Sequence, residues 1–203
     1  MFTSKTSKHS FVTRFVLLPA VLLVTLSVVS FAQAQRAPAP RGTARFEQWL
    51  SQEVNHQLLL LPWYGVFDNL QYKVKGSEVT LSGQVLNDVT KSGAASRVKE
   101  IEGVTKVNNN IEVLPTSPND DRIRRAEYRA IFGDAALGIY SLGNVQPLHI
   151  IVKNGHVTLE GSVLNQGHKN LAGIRANGVA GVFSVTNNLR IENSKTPGDD
   201  RKS

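Results

Sequence analysis

The chain contains no cysteine. That absence excludes disulfides, thiolate metal sites and a cysteine-borne lipid anchor, so apolar burial alone must hold the fold. The single methionine is Met1, which leaves no other sulfur to oxidise. Nor does a basic stripe interleave with aromatic residues, which make up only 7% of the sequence, and nucleic acid is therefore not an expected partner. No Gly-x-Ser-x-Gly elbow surrounds a serine, and no Gly-Lys-Ser/Thr follows the glycines Gly173, Gly178 and Gly181. The five histidines (His9, His56, His149, His156 and His168) show no ligand spacing. We read His149 as a strand residue, His156 as a turn residue and His168 as a loop residue. No catalytic, metal or cofactor site is expected, and the expectation is that the chain is not an enzyme.

A basic start precedes a long apolar run. Lys5, Lys8 and Arg14 come first, Phe15 to Phe31 is interrupted only by Thr25, Ser27 and Ser30, and Ala32-Gln33-Ala34 follows. This is the layout of a secretory signal peptide over 1–34, with small residues at the cleavage point. The apolar run is also long enough for a helix that just crosses a bilayer, so an uncleaved anchor is the alternative. Removing the leader takes away three uncompensated positive charges, so the net charge falls from +7 to +4. The expected location is periplasmic or secreted.

The positive content is a repeat. At an offset of 78 residues Val79-Thr80-Leu81 recurs as Val157-Thr158-Leu159, and Val85-Leu86-Asn87 recurs as Val163-Leu164-Asn165. Gly83 pairs with Gly161, Gly103-Val104 with Gly181-Val182, and Asn109-Asn110 with Asn187-Asn188. Across 71–113 and 149–191, 17 of 43 positions are identical, where average residue usage gives about 3 by chance. This is an internal duplication.

Each copy carries the same succession of periods. Leu70, Tyr72 and Val74 alternate with polar residues, as does the stretch from Val79, so each predicts a half-buried strand. Lys75-Gly76-Ser77-Glu78 and Lys153-Asn154-Gly155-His156 read as the hairpin turns between strands. Ala94, Val98 and Ile101 then make a helix face that Ala172, Ala176 and Val179 repeat. Gly103 and Gly181 are placed as left-handed helix caps. Val107, Ile111 and Val113, like Val185, Leu189 and Ile191, predict a closing strand. Ahead of each hairpin lies another helix: Phe46, Trp49, Leu50, Val54 and Leu58 supply its face in the first copy, with Pro62 as the latest end. Tyr128, Ile131, Phe132, Ala135 and Ile139 supply the face in the second, with Asp120 or Asp121 as the cap.

The expected fold class is α+β, two tandem α-β-β-α-β domains, each a small three-stranded sheet with two helices. The expected division is a leader at 1–34, a disordered linker at 35–43, domains at 44–114 and 120–192 joined through 115–119, and a disordered tail at 193–203. Pro115-Thr116-Ser117-Pro118 is too short and stiff to let the domains tumble freely.

The element order resembles the BON domain. The first copy carries the motifs as Ser77-Glu78-Val79-Thr80-Leu81-Ser82-Gly83 and Gly103-Val104-Thr105-Lys106-Val107-Asn108-Asn109-Asn110. The second carries Gly155-His156-Val157-Thr158-Leu159-Glu160-Gly161 and Gly181-Val182-Phe183-Ser184-Val185-Thr186-Asn187-Asn188. The first copy departs at Ser77, where glycine is usual, with Gly76 beside it. The resemblance implies a non-enzymatic envelope protein that attaches to anionic phospholipid or another envelope component, often in osmotic or envelope stress. A role binding other exported proteins, or a chaperone-like one, is the alternative. Nothing in the residues bears on oligomeric state.

Two stretches carry the binding expectation. Trp63, Tyr64 and Phe67 crowd a turn-like loop, which suits a membrane interface, a partner groove or a cover over one of the sheets. Arg122, Arg125 and Arg129 share one face of the second copy's first helix, with Arg124 turned away from it. That face suits anionic headgroups, or else a solvated surface with Glu127 in local pairs. Asn109 and Asn187 are expected to satisfy backbone groups where a strand enters its sheet.

Overall fold

The computed structural model describes residues 42–143 and 145–192. The expected leader, most of the first linker and the tail lie outside the described residues.

In the first repeat α1 spans Ala44–Leu59. Thr43 caps it by accepting a hydrogen bond from the Phe46 N–H, and Phe46, Leu50, Val54 and Leu58 form one buried stripe. β1 (Asn69–Lys75) and β2 (Glu78–Val85) pair antiparallel, with Tyr72 opposite Leu81 and Val74 opposite Val79. Asn87 caps α2 (Asp88–Lys99), which buries Thr90, Ala94 and Val98. The chain then returns beside β2 as β3 (Lys106–Asn109) and β4 (Glu112–Val113), both parallel to it. Parallel neighbours need a crossover of this length, and α2 provides it. Thus β2 is the central strand and β1 an edge.

The second repeat follows the same course through α3 (Pro118–Phe132), a 3-10 turn at Gly138–Ser141, β5 (Leu148–Lys153), β6 (His156–Val163), α4 (Gln166–Asn177), β7 (Ser184–Asn187) and β8 (Arg190–Ile191). Val157, Leu159 and Val163 of β6 occupy the places of Val79, Leu81 and Val85, and all six are buried.

The expected third strand is broken in two in both repeats, for a reason the asparagines supply. Asn109 donates to the Lys91 carbonyl (3.1 Å) and accepts from the Ile111 N–H (3.3 Å). Asn187 does the same with Lys169 (2.7 Å) and Leu189 (3.3 Å). Each amide takes over backbone groups at the break, and Ile111 and Leu189 are buried there. Gly83 and Gly161 mark a close backbone approach. Both have positive φ, and a Cβ would lie 1.9 Å from the Asn69 carbonyl oxygen or 2.0 Å from that of Pro147.

Several local expectations are corrected. Gly103 and Gly181, at φ of 88° and 91°, lie three residues beyond the C-caps Glu100 and Gly178. They turn the chain into β3 and β7 after the helix has already ended. α3 begins at Pro118, ahead of the expected domain boundary, and Ser117 rather than an aspartate caps it. Its core face is Ile123, Glu127 and Ile131, with Asp120 and Arg124 also buried. Tyr128 and Ile139 are exposed, and the helix ends before Ala135. Charged residues inside the buried stripe disguised the true face. His168 lies in the first turn of α4, where Nδ1 meets the Tyr140 hydroxyl at 2.6 Å.

Candidate functional site

The loop between α1 and β1 is built around Asp68. Its buried carboxylate accepts from the N–H groups of Gly65 (3.0 Å) and Leu86 (2.8 Å). Burial pushes this carboxyl up, opposed by those two N–H groups and by the charge of Arg124. The aromatic residues on the loop have three different fates. Trp63 is 66% exposed. Tyr64 is half-buried, its hydroxyl 3.2 Å from His149 Nε2, and burial pushes its pKa up to about 12. Phe67 packs against the core of the second repeat.

The loop therefore joins the repeats. Val66 belongs to the second core, and its carbonyl accepts from the Ile150 N–H at 2.8 Å. His149 is buried, and its Nδ1 lies 3.3 Å from the Gly65 carbonyl. That contact requires Nδ1–H to donate, which leaves Nε2 to accept from Tyr64. Burial lowers the His149 pKa and favours this neutral form. Covering a sheet, the plainer of the readings for this loop, describes Tyr64, Val66 and Phe67 but not Trp63.

On α3 the arginines also separate. Arg124 is buried, donating to the Val152 carbonyl (2.7 Å) and to Asp121 (2.6 Å). Arg122 reaches back to Asn119 (3.0 Å) and to the Ala180 carbonyl (3.3 Å), and its guanidinium lies against Gly181. Arg125 and Arg129 are exposed and, among the described residues, their side chains make no hydrogen bond or ion pair. Glu127 does not pair locally with them; it is fully buried.

Tyr128 is the residue that sequence reasoning missed as part of this surface. It is 39% exposed, three residues after Arg125 and next to Arg129. Its ring lies 6.3 Å from Phe67 and 4.9 Å from Phe132. The aromatic loop of the first repeat and the arginine face of the second thus meet at one place. Among the described residues no cluster of His, Cys, Asp and Glu could hold a metal ion, and no helix is long and apolar enough to cross a membrane.

The BON domain family model matches residues 47–115 and 134–193, once in each repeat. The chain is a tandem BON-domain protein. Membership of the BON family supports an envelope-associated, non-catalytic binding role. The second match begins beyond α3, so the helix that carries the arginines lies outside it. No curated protein matches the sequence. Among solved structures, the C-terminal domain of CdsD, a structural protein of the type III secretion system of Chlamydia trachomatis, is 13% identical with a TM-score of 0.28. That match covers 70% of this chain and 96% of the CdsD chain. A second CdsD structure is 13% identical with a TM-score of 0.27, covering 69% and 90%.

Proposed function

We propose that this BON protein is exported by its N-terminal leader to the periplasm or beyond and attaches to anionic phospholipid through the exposed face of α3. The observation that carries this reading is the Phe67–Tyr128 contact, which sets an aromatic patch beside two arginines that have no acidic partner. Headgroup phosphates would meet Arg125 and Arg129, Tyr128 would rest at the level of the headgroups, and Trp63 offers a second interfacial aromatic. Arg122 contributes less, because its guanidinium already serves Asn119 and Ala180.

Each exposed basic residue near such a surface contributes about 1 kcal/mol, so two give only weak, salt-sensitive attachment. The test is cosedimentation with vesicles containing phosphatidylglycerol, beside vesicles of phosphatidylcholine alone. Arg125→Glu/Arg129→Glu is expected to weaken binding to the anionic vesicles at least tenfold, and added salt to do likewise. Equal, salt-independent pelleting of both proteins would sink the headgroup reading. A protein partner is the second reading, favoured by the exposure of Trp63. It predicts capture of exported proteins that is lost on Trp63→Ala and indifferent to lipid.

A further inference from the structure

Away from the arginine face, a cleft of about 700 Å³ separates the two repeats. One wall is the edge strand β1 with Asn55 and Leu59 of α1. The other is the helix-free face of the second sheet, where His149 lies opposite Glu160 and Ser162 opposite Arg190. Val145, Gln146 and Pro147, just ahead of β5, also line it. The volume falls in the range of about 300–1,000 Å³ typical of small-molecule sites, which favour domain junctions such as this one.

The lining has a distinctive chemistry. Primary amides come from both walls: Asn55, Asn69 and Gln71 from the first repeat, Gln146 and Asn188 from the second. Among the described residues the side chains of Asn55, Gln71 and Gln146 make no hydrogen bond, so their donors and acceptors are available. Asn188 donates to Glu160 at 2.8 Å, which fixes that pair and leaves the amide oxygen free to accept. Two phenols, Tyr64 and Tyr72, and the apolar faces of Leu59, Leu70 and Pro147 interrupt the polar groups.

Charge excludes the first alternative ligand. Arg190 is the only cation in the lining, His149 being held neutral by burial, and Glu160 lines the same cleft with the opposite charge, so nothing concentrates positive charge on a phosphate or carboxylate. An acyl chain would strand the amides without partners, at a cost of about 1–3 kcal/mol for each group so desolvated. An extended peptide would dock on the β1 edge, but Lys73 and Lys75 line that strand, as charges that guard an edge do. What remains is a ligand whose own groups both donate and accept and which also presents an uncharged apolar face.

We propose that the cleft between the repeats binds a neutral glycan segment. Its hydroxyls are taken by the side-chain amides of both repeats, and its C–H faces pack on Tyr64, Tyr72 and Pro147. This site is separate from the lipid-facing arginines and stands whether or not they bind membrane. Because Asn55 and Gln71 belong to one repeat and Gln146 and Asn188 to the other, neither repeat alone completes it.

The experiment is a titration of the ¹⁵N-labelled protein with chitotriose, with maltotriose, with inorganic phosphate and with an alanine-rich hexapeptide, followed by NMR. One of the two sugars is expected to move the side-chain NH₂ signals of Asn55, Gln71, Gln146 and Asn188 together and to saturate with a Kd of order millimolar or tighter. Gln71→Ala/Asn188→Ala, both at exposed positions, is expected to raise that Kd at least tenfold while leaving signals from the two cores unmoved. The inference is overturned if neither sugar shifts these signals at about ten millimolar. It is equally overturned if phosphate or the hexapeptide binds there more tightly than both sugars, or if the double variant binds sugar unchanged.

Discussion

Glu127 is the residue most at odds with its surroundings. It is fully buried between Ile123 and Ile131 on α3, and among the described residues both carboxyl oxygens lack a hydrogen-bond partner. Desolvation pushes its pKa up to about 8 from an ordinary 4.5. Between those values the folded chain keeps a proton that the unfolded chain has released. Its contribution to stability is therefore largest below about 4.5 and declines as pH rises towards 8, by up to about 1.4 kcal/mol per pH unit. His149 acts in the opposite sense: its depressed pKa means that acidification below 6.5 favours the unfolded chain. Urea unfolding of Glu127→Gln across this range isolates the carboxyl. The variant is expected to lose the decline between about pH 5 and pH 8 and to exceed the parent in stability at the upper end. A parallel slope in both proteins would show that Glu127 is ionised in the fold.

At the scale of elements, the first helix of each repeat holds the hairpin turn that follows. In the second repeat Asp120 accepts from the N–H groups of Asn154 and Gly155, each at 2.8 Å, and is 1% exposed. Asn154 and Gly155 both have positive φ, as a tight two-residue turn requires. In the first repeat the Glu47 carboxylate accepts from the Gly76 N–H at 2.6 Å, but at an exposed position. The same device should therefore differ in strength. Asp120→Ala strands the buried Gly155 donor and loosens the part-buried one of Asn154, and is expected to cost about 1–3 kcal/mol. Glu47→Ala leaves its donor to water and should cost under about 1 kcal/mol. Guanidinium unfolding of the two variants side by side checks both sign and ranking. Equal losses would mean that the turns, not the acids, set the hairpins.

For the whole molecule, the duplication implies two interchangeable units, yet the join makes them unequal. Val66 leaves the first repeat's loop to enter the second repeat's core, and Lys153 of the second pairs with Glu112 of the first. Burying a valine contributes about 1.5–3 kcal/mol, which couples the unfolding of one repeat to the other. Val66→Asp is expected to withdraw the loop, speed hydrogen exchange at the Ile150 N–H and split one thermal transition into two. Unchanged exchange at Ile150 would mean that Val66 does not couple the repeats.

What the sequence by itself determined follows from short-range physics. Alternating apolar residues defined β1, β2 and β6, the Asn154-Gly155 pair defined a hairpin, and the fixed offset defined two copies of one family's domain. The strand and turn signals need no information beyond a few neighbours, and the repeat needs only the chain compared with itself. Only the tertiary structure decided that Val66 and Phe67 belong with the second core, that Tyr128 faces outwards beside Arg125 and Arg129, and that Asp120, Arg124 and Glu127 face inwards. A charged residue can sit on a buried stripe only where a distant backbone group or desolvation accommodates it. For Asp120 the partners are 34 and 35 residues away, and for Arg124 the Val152 carbonyl is 28 away. Periodicity reads polarity along one helix. It cannot see a partner on another strand, and so the meeting of the aromatic loop with the arginine-bearing helix, on which the proposed binding surface rests, is visible only once the two repeats are packed together.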